Sequence, residues 1–113
     1  MSLPEAKRTT DSGAFRLAAT AAGVVSAQGP LTFVSARRAC ELGVQTLAQA
    51  PDGKLEIDCR GITVSDSAGL AVLLEWLGVA RREGRSLRYT QLPAGLAALA
   101  RISDVHDLLE RGV

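Results

Sequence analysis

The alternation of apolar and polar positions divides this chain into short strands and longer helices. From Ala14 to Ala21, the residues Phe15, Leu17, Ala19 and Ala21 share one face, the two-residue period of a half-buried strand. Ala22-Gly23 offers a turn and Val24 to Gln28 reads as a second strand, so the pair predicts an antiparallel hairpin that Gly29-Pro30 ends. Thr32 is then the candidate N-cap of a helix in which Phe33, Ala36, Cys40, Val44 and Leu47 keep a helical period, with Arg37, Arg38, Glu41 and Gln45 turned outward. Pro51-Asp52-Gly53 breaks that helix. Lys54 to Cys59 alternates again as a central strand, and Arg60-Gly61 interrupts it. A long helix is expected from Ser67 to about Glu83, closed by Gly84, with Arg81 and Arg82 in its last turn. Ser86 to Gln91 reads as a strand with Leu87 and Tyr89 on one face. Pro93 sits at the start of a last main helix, Ala94 to about Ile102, and a short apolar piece with Val105, Leu108 and Leu109 packs down after Ser103-Asp104.

The order β-β-α-β-α-β-α, with short connections, predicts an α/β fold: a four-stranded mixed sheet, helices mainly on one face, and Val24 to Gln28 beside the central strand. The expected core is Phe33, Val44, Leu47, Leu70, Leu73, Leu74, Leu77, Leu96 and Leu99. The length of 113 residues corresponds to one domain, residues 14–113, preceded by a polar, disordered tail over residues 1–13.

Charge changes the picture mostly by exclusion. A formal net charge of +1 lacks the basic excess of a nucleic-acid domain and the polybasic arm of a membrane-surface protein. No apolar run reaches the length of a membrane span. Leu17 to Ala27 follows Arg16 but is mostly alanine and begins late, so it reads as paired strands and not as a cleaved signal. Cys40 and Cys59 each lie in an apolar-periodic segment and are expected as free core residues.

The chemistry concentrates between the central strand and the long helix, in Ser65-Asp66-Ser67-Ala68-Gly69. These are cap-forming residues at a helix N-terminus, where unpaired N–H groups and a partial positive charge favour a cap, a phosphate on serine or a polar partner contact. Ser67 or Asp66 serves at least as the cap. A nucleophile elbow would need Gly-x-Ser-x-Gly, and the first glycine is missing. Asp104, His106 and Asp107 follow the serine in the order a hydrolase triad uses, but the lone histidine lies among charged neighbours in a terminal segment. No phosphate-binding glycine loop and no metal-ligand cluster is present in the sequence. The expectation is therefore a non-enzymatic chain without cofactor or metal. On the long helix, Leu70, Leu73, Leu74 and Leu77 form the stripe expected to face the sheet. Val72, Trp76 and Val79 form a second stripe that Ala68 adjoins. That second stripe is either covered by a neighbouring helix or is a docking face anchored by Trp76, with Ser65, Asp66, Ser67, Ala68, Gly69 and Val72 completing the partner-binding surface.

Val64-Ser65-Asp66-Ser67-Ala68-Gly69-Leu70-Ala71-Val72-Leu73-Leu74, placed between a strand and a long helix, resembles the signature of the STAS domain. The resemblance extends over roughly Phe15 to Leu109 and includes Gln28-Gly29-Pro30-Leu31-Thr32 and the ending from Leu96 to Leu109. It implies the STAS fold of anti-sigma-factor antagonists and of transporter C-terminal domains. In antagonists that carry Asp-Ser-Ser/Thr-Gly, the serine after the aspartate is phosphorylated by a partner kinase, and that position maps to Ser67. Ala68 departs from the pattern by replacing the second hydroxyl. The Asp-Ser-Ala-Gly-Leu-Ala run and the ending look closer to MlaB-type subunits. That branch implies a cytoplasmic protein, peripheral at the inner membrane through the ATPase subunit of a bacterial phospholipid ABC transporter. The other branch implies an anti-sigma kinase as partner, and a weak homodimer is allowed by either.

Overall fold

The structure is a computed structural model that describes residues 14–113. The polar tail expected over residues 1–13 lies outside the described residues. Four strands, β1 (Arg16–Ala21), β2 (Val24–Leu31), β3 (Lys54–Ser65) and β4 (Ser86–Thr90), form one sheet in the order β1-β2-β3-β4. β1 pairs antiparallel with β2, and the β2–β3 and β3–β4 pairs are parallel. The helices are α1 (Ala36–Ala48), α2 (Ser67–Arg82), α3 (Ala94–Ile102) and α4 (His106–Arg111), with a single 3₁₀ turn at Pro51–Gly53.

One sheet face carries Val25, Ala27, Leu31, Leu55, Ile57, Cys59, Leu87 and Tyr89, all buried with Leu73, Leu77, Leu96 and Leu109 from the helices. The other face is polar. Gln28 donates to Ser26 Oγ at 3.2 Å, and Arg88 stands 3.9 Å from Glu56 across the β3–β4 pair. A strand with one solvated face needs this alternation, and the mixed sheet with helices gathered over one face follows from it. The Tyr89 hydroxyl, buried with the core, donates to the Leu73 carbonyl at 2.6 Å, and burial pushes its pKa up. Cys40 and Cys59 are free thiols, and burial pushes Cys59 up to about 12.

Three expectations are corrected here. Neither Gly29-Pro30 nor Arg60-Gly61 ends its strand, because the two interruptions lie in adjoining stretches of neighbouring strands and are absorbed as bulges. Ser26 faces Asp58 and Gln28 faces Gly61, so Cys59-Arg60 oppose one residue of β2. Gly29 then faces Ile62 and Leu31 faces Ser65, so Thr63-Val64 oppose Pro30. Proline has no N–H to offer a ladder, and a bulge opposite it removes the need for one. At Gly61 the strands come so close that a Cβ would stand 2.8 Å from the Ala27 carbonyl oxygen.

The second correction concerns the start of α1. Thr32 is not its N-cap; Ser35 occupies that position. Residues 32–35 instead form a turn in which Ser35 Oγ accepts from the Thr32 N–H at 3.0 Å and donates to the Pro30 carbonyl at 2.9 Å. The third correction follows from the second. Phe33 precedes the helix and is exposed, Val44 is also exposed, and the buried stripe of α1 is Ala39, Gly43 and Leu47. Leu70, Leu73, Leu77 and Leu96 are buried as expected, and Leu74 and Leu99 are half-buried against the same core.

Candidate functional site

β2 and β3 finish at the same end of the sheet, and α1 and α2 begin there. Ser65 closes β3 opposite Leu31, and Asp66 leaves the strand in an extended conformation as the N-cap of α2. Its carboxylate holds two segments together. Oδ1 accepts from the Gly69 N–H at 3.1 Å and Oδ2 accepts from the Phe33 N–H at 3.0 Å. The first bond satisfies an orphan donor of the helix, and the second ties down the turn before α1. The Phe33 and Gly69 N–H groups hold the Asp66 carboxyl below the usual carboxylate range, the Phe33 bond contributing most.

Gly69 is required by contact. A Cβ at this position would run into the Leu31 carbonyl oxygen, so the first turn of α2 presses directly on the end of β2. Ser67, the first helical residue, is exposed, and Ala68 is half-buried behind it. Beside this helix start stand three large apolar side chains open to solvent. Phe33 is 80% exposed, Val34 90% and Val64 56%. Val64 is turned out by the bulge opposite Pro30, and Phe33 is held there through Asp66. Sequence reasoning missed this patch by assigning Phe33 to the core. The available signal was Ser35, a stronger cap position than Thr32 for the run that follows.

The expected docking stripe is corrected. Trp76 is 0% exposed, and Val72 and Val79 are buried with it. The indole lies over Gly43 of α1, where a Cβ would collide with the ring, and its Nε1 donates to the Cys40 carbonyl at 3.3 Å. Phe15 packs against it with ring centroids 6.2 Å apart. The neighbouring helix therefore covers the second stripe, leaving Trp76 and Val72 no exposed surface to offer.

His106 lies apart from the serine loop: the two pockets it adjoins are lined by Arg101, Asp104 and Asp107, and by Tyr89, Gln91, Leu92, Ala97, Arg101 and Glu110. The one grouping of potential metal-ligating atoms among the described residues is His106, Asp107 and Glu110. Both carboxylates are exposed and stand 3.9 Å from the imidazole on one helical turn, a solvated surface grouping. Among the described residues no helix is long and apolar enough to cross a membrane.

Comparison with known proteins agrees with this architecture. A protein from Thermotoga maritima, described as a "putative anti-sigma factor antagonist", superposes with a TM-score of 0.68 at 12% identity, over 85% of this chain and 83% of that one. The anti-sigma factor antagonist SpoIIAA in its unphosphorylated form gives 0.57 at 13% identity, over 81% and 83%. The murine solute carrier 26 member A9 anion transporter, inward-facing, gives 0.64 at 15% identity over 91% of this chain, which spans only 21% of the transporter. At these identities the likeness is one of fold. No curated protein sequence matches the chain. The family profile described as "Mlab, STAS domain" matches residues 15–110, and the chain therefore belongs to the MlaB-type STAS domain family.

Proposed function

We propose that this chain is a non-enzymatic interaction subunit that docks on the ATPase subunit of a bacterial phospholipid ABC transporter. The docking surface is the end of the sheet where α2 begins. The observation that carries this reading is the exposed apolar trio Phe33, Val34 and Val64 beside the exposed Ser67. Large apolar side chains set around a helix N-terminus on a fixed backbone are the makings of a partner anchor. Asp66 supplies the fixing, because it holds the turn of Phe33 and the first turn of α2 in one geometry. Ser65, Ala68 and Gly69 then shape the floor under Ser67. In this reading Val72 and Trp76 act only from beneath, by seating α1 against α2. The match to the MlaB-type family supports an ATPase as partner and, with it, a cytoplasmic protein held at the inner membrane through that partner.

The test is a titration with a purified ATPase subunit of such a transporter from the same organism. A hot-spot aromatic carries about 2 kcal/mol or more of binding, so Phe33→Ala should weaken the complex more than about tenfold. Ser67→Asp should do likewise by placing a charge at the centre of the contact. Thermal unfolding of both variants should match the parent. Binding unchanged in both would move the docking surface elsewhere.

A second reading has an observation of its own. Ser67 is exposed at a helix N-terminus, the position a kinase could reach and where a phosphate is electrostatically favoured, and two of the similar solved structures are described as anti-sigma factor antagonists. In that reading the partner is an anti-sigma kinase and phosphate on Ser67 is the switch. Incubation with such a kinase and ATP would add one phosphate, absent in Ser67→Ala. A neighbouring gene for an ATPase and a permease, as against a kinase, separates the two.

A further inference from the structure

The two edges of the sheet are finished differently. Along β4, Leu87 and Val113 exchange backbone hydrogen bonds of 3.1 and 3.0 Å, and Ser86 Oγ donates to the Val113 carbonyl at 3.0 Å. At Gly112 a Cβ would run into the Leu87 carbonyl oxygen, so this edge is closely covered. β1 pairs only with β2, and among the described residues no strand pairs with its other side. After Arg16 it reads Leu-Ala-Ala-Thr-Ala, without a charge or a proline to discourage pairing. A bulge at Thr20, between the Ala19 and Ala21 pairings, is its one protective device.

An apolar recess adjoins the same edge. Leu17 and Ala19, opposite Ala27 and Val25, share the helix side, where with Ala21, Val25, Thr46, Gln49, Ala50 and Leu55 they line an open groove of about 380 Å³. Ala19 and Ala21 are exposed. A strand added to β1 would therefore gain backbone hydrogen bonds and cover an apolar recess in one step.

We propose that this strand is β1 of a second copy of the chain, running antiparallel across a two-fold axis at Ala18, so that two sheets join into one. Sequence and charge select this occupant and register. Directly opposed residues share a face, so Leu17 of each copy lies against Ala19 of the other, a large side chain beside a small one over each groove. Arg16 is the only charge on the strand. Centring the pair on Leu17 instead would bring the two arginines onto one face as diagonal neighbours about 7–8 Å apart. Centring it on Ala18 places Arg16 opposite Thr20 and moves the two charges beyond about 10 Å, where salt screens them. The interface uses no residue of the Ser67 surface, so its outcome is independent of the proposed partner.

Sedimentation of the full chain over a concentration series tests this. A reversible dimer is expected, weakened more than about tenfold by Ala19→Lys, which sets a charge in the exposed groove without touching the core. Thermal unfolding should be unchanged. In a Cys40→Ala background, Ala18→Cys should give a disulfide-linked dimer on mild oxidation, because directly opposed Cβ atoms lie about 4.5–5.5 Å apart. Ser103→Cys, exposed at the end of α3, should not. A chain that stays monomeric at millimolar concentration, a dimer indifferent to Ala19→Lys, or equal cross-linking from both cysteines would each overturn the proposal.

Discussion

Two apolar regions have exchanged the places that periodicity assigns them. Trp76 stands on the side of α2 that a helix over a sheet should leave polar, yet it is fully buried. Phe33 continues the apolar period of α1 back to its start, yet it is almost fully exposed. The difference lies in the backbone around each side chain. Trp76 finds a recess made by a missing side chain, Gly43, with a carbonyl oxygen for its N–H at Cys40. Phe33 lies before the helix begins, in a turn closed by Ser35 and held outward by Asp66. A helical stripe predicts burial only within the helix, and only against a surface whose size is known.

The largest effect should come from removing the buried partner of this pair. Trp76→Ala empties the recess over Gly43 and strands no charge, and it should cost about 3–5 kcal/mol in unfolding free energy. Denaturant unfolding measures it. A cost below about 0.5 kcal/mol, the range of surface substitutions, would return Trp76 to the surface. Leu73→Ala should follow at about 2–5 kcal/mol, with the half-buried Leu74→Ala clearly below it. Equal losses at the two leucines would mean that α2 is rotated from the orientation described.

Gly43→Ala sharpens the comparison from the other side. The added methyl would collide with the indole, so α1 must move away from α2 or Trp76 must leave its rotamer. Overpacking of this kind costs about 1–3 kcal/mol, although alanine is the better helix former. A stabilised Gly43→Ala would show that the recess is not filled by Trp76. Combined with Trp76→Ala, the same substitution should become nearly neutral or favourable, because the clash has gone.

These residues also mark how far the sequence was readable. The bounds of α2, β4 and α3 followed from Asp66, Gly84 and Pro93, which act through their own backbone geometry and need no knowledge of neighbours. The serine loop was legible as a helix start for the same reason. The bulges were not, because Gly29-Pro30 and Arg60-Gly61 each look like an ending until the two are laid side by side. The inner stripe of α1 was hidden because it consists of Ala39 and Gly43, small residues that carry no hydrophobic signal but permit close approach. Their four-residue spacing, opposite a lone tryptophan, was the available clue. The exposed patch at Phe33 was missed through that same misplaced stripe.

Acid should loosen the site before it loosens the core. The Asp66 carboxyl lies below its ordinary value in the fold, so its contribution is fully present above the unfolded pKa of about 4. That contribution is lost as pH falls through the lower, folded value. Protonation weakens both bonds, to Phe33 and to Gly69. Amide protection at Phe33 and Gly69, taken relative to the intrinsic exchange rate at each pH, should therefore fall in acid ahead of amides beside Leu73, and Asp66→Ala should show the reduced protection already at neutral pH. Equal protection at the two sites through the acid range would mean that Asp66 does not tie the turn to the helix.

The smallest effect on stability should come from Phe33→Ala, and its smallness is the point. A side chain 80% exposed gives up little burial when truncated, so the unfolding free energy should stay within about 0.5 kcal/mol of the parent. The Phe33 N–H that Asp66 accepts is unchanged by the substitution, so the turn should keep its geometry. Set against Trp76→Ala, this makes a clean double dissociation: one aromatic is needed for the fold, while the other is free for a partner. Phe33→Ala with Val34→Ala should leave unfolding intact and, on the function proposed above, abolish most of the binding to an ATPase partner. If instead Phe33→Ala destabilises the chain by more than about 1 kcal/mol, the side chain is packed after all, and the expectation that assigned it to the core was right.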